Sequence, residues 1–292
     1  MSATELGEFL CARRARTVPE SVGITARYTG RRVPGLRREE LARLAGVSVA
    51  YYTRLEQGHS QNASDSVLDG LARALRLDDA ERTHLYDLAR APRRRAGTEP
   101  APETPHPRTL ALLDSLPGLP AVLLGRRNDV LAWNRLGHAL LAGHLDFDAP
   151  RTARRPSLSR TLFLDPRSRE TEADWDAYAA VHVGHLRMVA GRYPDDPELA
   201  ALIRELTRGS EEFAALWAAG RVRDCTFGER RLRHPLVGEI TLTYQVWLQP
   251  DSPDCRLEVL TAEPGTASAD ALAALATLTP DRADRPTARR HR

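Results

Sequence analysis

The 292-residue chain has little or none of several residue types and patterns on which common classes of protein depend. It contains no lysine, so its 42 basic residues are all arginine, and a serine–lysine catalytic pair is excluded. Its three cysteines, Cys11, Cys225 and Cys255, are too few and too widely spaced for a disulfide framework or a CxxC metal site. No apolar run reaches the ~18 residues of a membrane span, and no secretion signal is recognisable. These absences predict a cytoplasmic protein without a membrane partner.

Motifs of catalysis and of metal binding are also missing from the sequence. It has no glycine-rich phosphate loop and no GxSxG nucleophile motif. His182 and His185 are three residues apart on a predicted helix, but no cysteine or acid stands at ligand spacing beside them or beside His234. Isolated histidines are more often surface or core residues than metal ligands. We therefore expect no enzyme activity, no catalytic residue, no metal and no resident cofactor.

Charge is distributed unevenly along the chain, whose overall net charge is +3. Residues 1–95 carry 17 arginines and 12 acidic residues, a net charge of +5, whereas the remainder has a net charge of −2. A basic surplus confined to one segment is typical of a region that binds phosphates. The length allows two domains that each bury a core of their own.

The segment 37–58, RREELARLAGVSVAYYTRLEQG, has the pattern of two short helices joined by a glycine turn. Gly46 can end the first helix with a positive φ, and Ser48 can cap a second helix over 49–57. Three apolar residues after the turn are expected to face the core, namely Val47, Tyr52 and Leu55. The outward side of the second helix then carries Val49, Ala50, Thr53 and Arg54. A short helix held in this way can enter a DNA major groove.

This spacing resembles the helix-turn-helix of the Xre/lambda-repressor family. The resemblance implies an all-α bundle of five helices, which we predict at 6–14, 37–45, 49–57, 64–75 and 79–90. The base edges of DNA would be contacted by Val49, Ala50, Thr53 and Arg54. The phosphates would be held by Arg37, Arg38, Arg43 and Tyr51. The alternative is an αα-hairpin in an unrelated helical protein.

Three segments outside the predicted helices have a different composition. Between Thr17 and Leu36 the chain departs from compact repressors, which join their first two helices more tightly. This insert contains Arg27, Arg31 and Arg32, so it is either a basic arm along the DNA backbone or a solvated loop. Residues 92–108 are rich in proline and charge and are predicted to be an interdomain linker. Residues 279–292 are predicted to be a disordered tail.

The sequence from 109 to 278 predicts a second domain of the α+β class. Short strands are expected near 121–124 and 128–132, and helices near 134–142, 175–190, 198–208 and 211–219. Residues 240–248 alternate between apolar and other side chains with a period of two, which is typical of a strand. Its neighbours are expected within 221–233 and 256–262. A small antiparallel sheet covered by helices follows from this pattern.

The second domain is rich in large aromatic residues, among them Trp133, Phe163, Trp175, Trp217, Tyr244 and Trp247. Such residues most often form a plain core, which residue chemistry alone favours. A small sheet packed on helices can also enclose an apolar cavity with a few polar groups, which is the usual form of a ligand pocket.

Several motifs in this region resemble the ligand-binding half of the MmyB-like transcription factors. They are VLAWN from Val130, LRMVAGRYPDDPEL from Leu186, SEEFAALWAAG from Ser210, RLRHPLVGEITLTY from Arg231 and VLTAEPGTAS from Val259. The resemblance implies a PAS-like domain that holds a fatty-acid-like ligand, and we predict that the six aromatic residues above line its pocket. It also places Asn134 after the second strand. One departure is Gly220, where many relatives have a histidine, and this leaves the identity of the ligand open.

We therefore hypothesise a sequence-specific DNA-binding transcriptional regulator modulated by a small apolar ligand. Its domains would be a helix-turn-helix domain over 1–91 and a PAS-like domain over 109–278. Its partners would be double-stranded DNA, the ligand and a second copy of the chain, because one small helix-turn-helix reads few bases. Two alternatives stay open: a second domain that only dimerises, and an enzyme fused to a helix-turn-helix.

Overall fold

A computed structural model describes residues 5–24, 35–59, 63–90, 103–222, 226–249 and 252–279. The chain divides into two compact units. The first comprises Met1–Pro100, Val183–Thr207 and Glu211–Asp224, and the second comprises the remaining residues. The first unit thus includes two segments that lie within the region predicted as the second domain. The arginines of the Thr17–Leu36 insert, most of the predicted linker and nearly all of the predicted tail lie outside the described residues.

The first unit contains the five predicted helices, each with bounds within about two residues of the expected ones. They are α1 (Glu5–Arg16), α2 (Arg38–Ala45), α3 (Val49–Glu56), α4 (Asp65–Ala74) and α5 (Asp79–Arg90). Their core is formed by leucines with Tyr52 and Phe9. The unit also includes the end of α10 (Trp175–Arg192), together with α11 (Pro197–Gly209) and α12 (Glu211–Ala218). A turn of 3-10 helix, Pro19–Val22, follows α1.

The second unit contains a five-stranded antiparallel sheet. Its strands are β1 (Ala121–Leu124), β2 (Val130–Trp133), β3 (Phe227–His234), β4 (Gly238–Gln249) and β5 (Ser252–Thr261), in the order β2-β1-β5-β4-β3. The predicted alternation in β4 is confirmed where Ile240, Leu242 and Tyr244 are buried. The alternation does not extend to Leu248. The period of two places this residue on the inner face, but its side chain is 62% exposed. The register shifts at this end of β4, so the periodicity no longer fixes the face.

The helices of the second unit pack on this sheet, and sequence periodicity missed four of them. The unit contains α6 (Pro107–Asp114), α7 (Arg135–Ala142), α8 (Leu158–Leu164), α9 (Ser168–Thr171), the first part of α10, and α13 (Ala267–Leu278). The predictions omitted α6, α8, α9 and α13. Helix α6 begins inside the predicted linker, because Pro107 stands at its first position and the side chain of His106 caps it. Among the described residues no helix is both long enough and apolar enough to cross a membrane.

Asn134 fixes helix α7 against β1, and the structure places it directly after β2 as expected. Its Oδ1 accepts hydrogen bonds from the backbone N–H of Ala121 at 3.1 Å and of Gly137 at 2.8 Å. Its Nδ2 donates to the carbonyl oxygens of Leu116 and Leu119, both at 2.7 Å. A Cβ on Gly137 would clash with the backbone of Ala121, so glycine allows the helix to approach the strand closely. One buried amide therefore sets the position of α7.

Candidate functional site

Helix α3 is held by the two local signals that the sequence predicted. Gly46 has a φ of +72° and its N–H donates to the carbonyl oxygens of Ala42 and Arg43, which ends α2. Ser48 Oγ accepts the backbone N–H of Tyr51 at 3.1 Å and caps α3. Tyr52 and Leu55 are fully buried in the core of the first unit. The turn, the cap and the two buried side chains therefore fix the orientation of α3 in the first unit.

The four residues predicted to contact bases lie on the open side of α3. Val49 is 42% exposed, Ala50 and Arg54 are exposed, and Thr53 is half-buried. In the described part of the chain no ion pair involves Arg54. The structure thus brings these four side chains together on one accessible helix face. Their contact with bases stays a prediction.

The residues predicted to hold phosphates have different surroundings. Arg37 and Arg43 are exposed, Tyr51 is half-buried, and the N–H of Arg37 donates to Glu40 Oε2 at 2.7 Å. Arg38, by contrast, donates to Glu56 from Nε at 3.2 Å and from Nη2 at 3.1 Å. Its side chain is still 48% exposed. Arg38 therefore has a structural partner in addition to its predicted phosphate contact.

Glu56, the last residue of α3, lies between two guanidinium groups. Arg14 on α1 donates to it from Nη2 at 2.9 Å and from Nε at 3.3 Å, and Arg38 on α2 binds the same two oxygens. Burial alone would raise the pKa of the Glu56 carboxyl, but the hydrogen bonds from Arg14 and Arg38 outweigh it and lower the pKa. Arg14 also donates to the carbonyl oxygen of Leu36 at 2.8 Å. This carboxylate connects α1, α2 and α3.

The second unit contains a cavity of about 750 Å³. One wall is helix α7, with Leu140 and Leu141, and a second wall is the end of β3 with the β3–β4 turn. A third side is formed by the segment from Thr161 to Glu172, which includes α9. Cavities of roughly 300–1,000 Å³ that are lined mainly by apolar groups are typical sites for small molecules. The volume falls within this range, and the lining combines apolar side chains of α7 and β3 with several polar and charged ones.

Two charged residues of opposite sign line this cavity although they are almost completely buried. Arg230 on β3 donates to Glu172 from Nε at 3.2 Å, and its Nη2 binds the other carboxylate oxygen. Their side chains are only 7% and 8% exposed. The guanidinium lies over the ring of Tyr178, with Cζ 4.2 Å from the centroid. Glu258 Oε1 lies 3.8 Å from Arg230 Nη1. Such groups place a strong hydrogen-bonding site beside an apolar space.

His234 lines the cavity with a defined tautomer. Its Nδ1 accepts the backbone N–H of Leu236 at 3.3 Å, so Nε2 carries the proton that it donates to the carbonyl oxygen of Ala139 at 3.1 Å. The imidazole therefore joins the β3–β4 turn to α7. No group of three possible metal-ligating side chains occurs in the parts of the chain that the structure describes.

A buried polar network lies near the start of α8 and involves His182 on α10. Its Nδ1 is 3.2 Å from Ser159 Oγ and 3.3 Å from Asn128 Nδ2, and Asn128 Nδ2 also donates to Ser159 at 2.9 Å. Arg256 binds the other side of the same amide through Asn128 Oδ1. Burial, together with the charges of Arg230 and Arg256, lowers the pKa of His182 to about 3. The network holds a neutral histidine.

The six aromatic residues predicted to line a ligand pocket are not among the residues that line this cavity. Trp133, Phe163, Trp175 and Tyr244 are buried side chains of the second unit, and Trp175 donates to the carbonyl oxygen of Leu162 at 3.1 Å. Trp247 is 61% exposed at the end of β4. Trp217 belongs to the first unit, where it stacks on Phe213. Their ligand contacts stay a prediction, while the cavity is lined by other residues.

Sequence reasoning missed Arg230 and Glu172, which are 58 positions apart in the chain. One signal was present, because Arg230 and Leu232 are two residues apart on β3 and share its buried face. An arginine on the inner face of a strand needs a buried partner. The sequence alone does not say which acid supplies it.

Comparison with known families assigns both parts of the chain. Residues 105–275 match the model of the MmyB-like transcription regulator ligand binding domain, which is more than half of the chain. Residues 5–85 match the model of a helix-turn-helix domain. No curated protein matches the chain. Gly220, the departure noted in the sequence, has a φ of +63° at the end of α12, a conformation that glycine adopts without strain.

Proposed function

The chain belongs to the MmyB-like transcription regulators, and we propose that it recognises a specific operator through α3 under the control of a small fatty-acid-like ligand. A helix-turn-helix domain and a ligand-binding domain in one chain are the parts of a transcription regulator.

The observation that carries the DNA-binding proposal is the contrast between the two faces of α3. Tyr52 and Leu55 are inaccessible, while Val49, Ala50 and Arg54 are exposed. Arg54 can form a bidentate contact with guanine, and the methyl groups of Ala50 and Thr53 suit a thymine methyl. Exposed Arg37 and Arg43 at the flanking positions suit phosphates.

The ligand proposal is supported by the cavity in the second unit. Its volume of about 750 Å³ and the apolar side chains of α7 suit an acyl chain. Each buried CH₂ contributes ~0.8 kcal/mol, so a chain of moderate length could bind tightly. A ligand regulates only if it binds two arrangements of the protein with different affinity. We place the acyl chain beside α7.

We further propose that the protein acts as a homodimer of Xre type on chromosomal DNA in the cytoplasm. One recognition helix reads few base pairs, so two half-sites related by two-fold symmetry would supply the missing specificity. A PAS-like character of the second domain is supported by its five-stranded antiparallel sheet with helices on it.

The DNA-binding proposal is tested by selecting genomic fragments with the purified protein and measuring their affinity at several salt concentrations. Arg54→Ala should cost about 1–3 kcal/mol of binding free energy on the selected site and relax the preference at one base pair. The matched control is Arg151→Ala, because Arg151 is exposed in the second unit and the charge change is identical. Unchanged affinity and base preference in Arg54→Ala would show that α3 does not read the site.

The ligand proposal is tested by native mass spectrometry of the purified protein and by thermal shift with a graded series of saturated fatty acids. We expect a co-purified acyl compound, or a rise in Tm that grows with chain length until the cavity is filled. A protein that carries no such compound and shows no shift with any member of the series contradicts this ligand class.

A further inference from the structure

The wall of the cavity contains an ion pair that an apolar ligand alone would not need. Glu172 and Arg230 both line the cavity, and each side chain is more than nine-tenths buried. Removing two charges from water costs free energy that a simple apolar pair would avoid. The pair is therefore a candidate for ligand recognition as well as for packing.

Arg230 is incompletely satisfied by its protein partners. Glu172 occupies the edge formed by Nε and Nη2, and the ring of Tyr178 covers one face. Nη1 is buried without a hydrogen-bond acceptor among the described residues, and Glu258 Oε1 lies 3.8 Å away, beyond hydrogen-bond distance. Arg230 therefore makes its charge-assisted hydrogen bonds to one carboxylate, that of Glu172, and an exchange of partners would take place at the Nε–Nη2 edge.

Other arginines that line the cavity are weaker candidates for an anion. Arg167 already has Asp165 as a partner, with Nη2 2.6 Å from Oδ2, and its side chain is 61% exposed. Arg233 is exposed to solvent. Water and salt weaken a charge interaction at such positions, whereas burial strengthens it at Arg230.

Glu172 is part of a short segment that is attached to the edge of the sheet. We call residues 165–174 the strap, because they run beside the cavity and include α9. The strap forms a β-bridge between Glu172 and Leu232, and Ala173 N donates to the carbonyl oxygen of Arg231 at 2.9 Å. Asp174 accepts from Arg231 Nε at 2.7 Å. The Glu172 carboxylate is thus carried on an attachment point between the strap and β3.

We propose that Arg230 binds the carboxylate head of the ligand, and that Glu172 is an exchangeable counter-ion which holds this place when the cavity is empty. The inference rests on the proposed fatty-acid-like ligand and adds the chemistry of its head group. The ligand carboxylate takes the guanidinium edge that Glu172 leaves, so the number of charges paired with Arg230 does not change. Glu172 turns toward the mouth of the cavity and water.

Regulation requires two states of the protein that bind the ligand with different affinity. The exchange of carboxylates on Arg230 provides two such states. With Glu172 on Arg230, the strap is held to β3 by that ion pair, the β-bridge and the Asp174–Arg231 pair. With a ligand carboxylate on Arg230, the first of these attachments is absent. A carboxylate ligand therefore stabilises the state in which the strap is released from Arg230.

The test compares the wild type with Glu172→Gln in their affinity for a fatty acid and for the fatty alcohol of the same chain length. Glutamine keeps the shape of the side chain but binds Arg230 more weakly, so the acid displaces it more easily. We expect Glu172→Gln to bind the acid about tenfold more tightly, which corresponds to ~1.4 kcal/mol, and to bind the alcohol with unchanged affinity. Isothermal titration calorimetry measures both affinities.

The matched control is Glu263→Gln, which makes the same substitution at an exposed residue of the second unit. Glu263 lies outside the strap and does not line the cavity. The control should leave both affinities unchanged, and a circular dichroism spectrum checks that each variant is folded. Equal effects on acid and alcohol, or no gain for the acid in Glu172→Gln, overturn the exchange while the proposed ligand class stands. Failure of the wild type to bind either compound overturns both proposals.

Discussion

The two units each contain a buried ionic cluster, and the clusters have opposite composition. In the first unit one carboxylate, Glu56, lies between two arginines and each of its oxygens accepts two hydrogen bonds. In the second unit one arginine, Arg230, lies between Glu172 and Glu258, and both its Nη1 and Glu258 Oε1 are without hydrogen-bond partners among the described residues.

The difference indicates what each cluster can do. A fully satisfied cluster has one arrangement of low energy and therefore acts as a rigid joint, which suits a helix that must present a fixed face. An incompletely satisfied cluster gains when a new acceptor or donor arrives, which suits a site that changes its partners. Mutations that remove one charge from each cluster should separate these two roles.

The largest expected effect is that of Glu56→Gln in the first unit. The amide nitrogen would face Arg14 and Arg38, and two guanidinium groups would lose their shared anion. Breaking a buried ion pair costs about 3–5 kcal/mol, and we expect about 3 kcal/mol because Arg38 is half exposed. Urea unfolding measures this loss.

The control for Glu56→Gln is Glu39→Gln, an exposed position on α2 with the same charge change. It should alter the free energy of unfolding by less than about 0.5 kcal/mol. A loss of similar size in both variants would show that Glu56 is not a joint of the bundle.

The next largest effect is expected on the pH dependence of the free energy of unfolding, to which one buried histidine in each unit contributes. Burial, with the charge of Arg187, lowers the pKa of His84 to about 3, and burial lowers that of His182 to about 3 as well. In the unfolded chain the pKa of histidine is ~6.5, so below this pH the unfolded chain binds protons that the folded chain does not bind. The free energy of unfolding is therefore highest above pH ~6.5 and falls as the pH decreases. Each histidine should cost ~1.4 kcal/mol per pH unit, or about 2 kcal/mol at pH 5.

Substitution tests the contribution of the first unit to this pH dependence. His84 packs edge-on against Phe9, and its Nδ1 has no hydrogen-bond partner among the described residues. His84→Leu should therefore keep the packing and remove the contribution of this histidine to the slope of the free energy of unfolding against pH. The control is the same substitution, His59→Leu, at an exposed histidine of the first unit. An unchanged slope in His84→Leu would refute the assignment.

The smallest effect is expected for Glu258→Gln in the second unit. Burial raises the pKa of the Glu258 carboxyl, and its Oε1 accepts no hydrogen bond among the described residues. The negative charge therefore contributes little to stability, and replacing the carboxylate by an amide should cost little. We expect a change of less than ~1 kcal/mol in the free energy of unfolding. A loss as large as that of Glu56→Gln would show that the two clusters are equally well satisfied.

The sequence predicted those parts of the molecule that depend on local signals. Gly46 and Ser48 act within α2 and α3, so the helix-turn-helix and its outward face could be read from a few consecutive residues. The period of two in β4 marked a strand for the same reason. Helix α13 was missed because its sequence, ASADALAALATL, is apolar over much of its surface and its periodicity is weak.

The cavity could not be predicted in the same way. The order β2-β1-β5-β4-β3 places β1 beside β5, whose residues are more than a hundred positions away, and no local pattern specifies that pairing. Aromatic bulk suggested a pocket, yet Trp133 and Trp175 form buried contacts elsewhere in the unit. Volume left empty by packing is a property of the whole arrangement and not of any residue type.

What the sequence determined by itself is the helix-turn-helix and the accessible face of α3, because capping, turn chemistry and apolar spacing all act over a few residues. What only the tertiary structure decided is the pairing of Arg230 with Glu172 and the space beside them. These two residues are far apart in the sequence, so they meet only after the sheet has formed and the strap has reached its edge. Burial then strengthens the electrostatic attraction between the two charges.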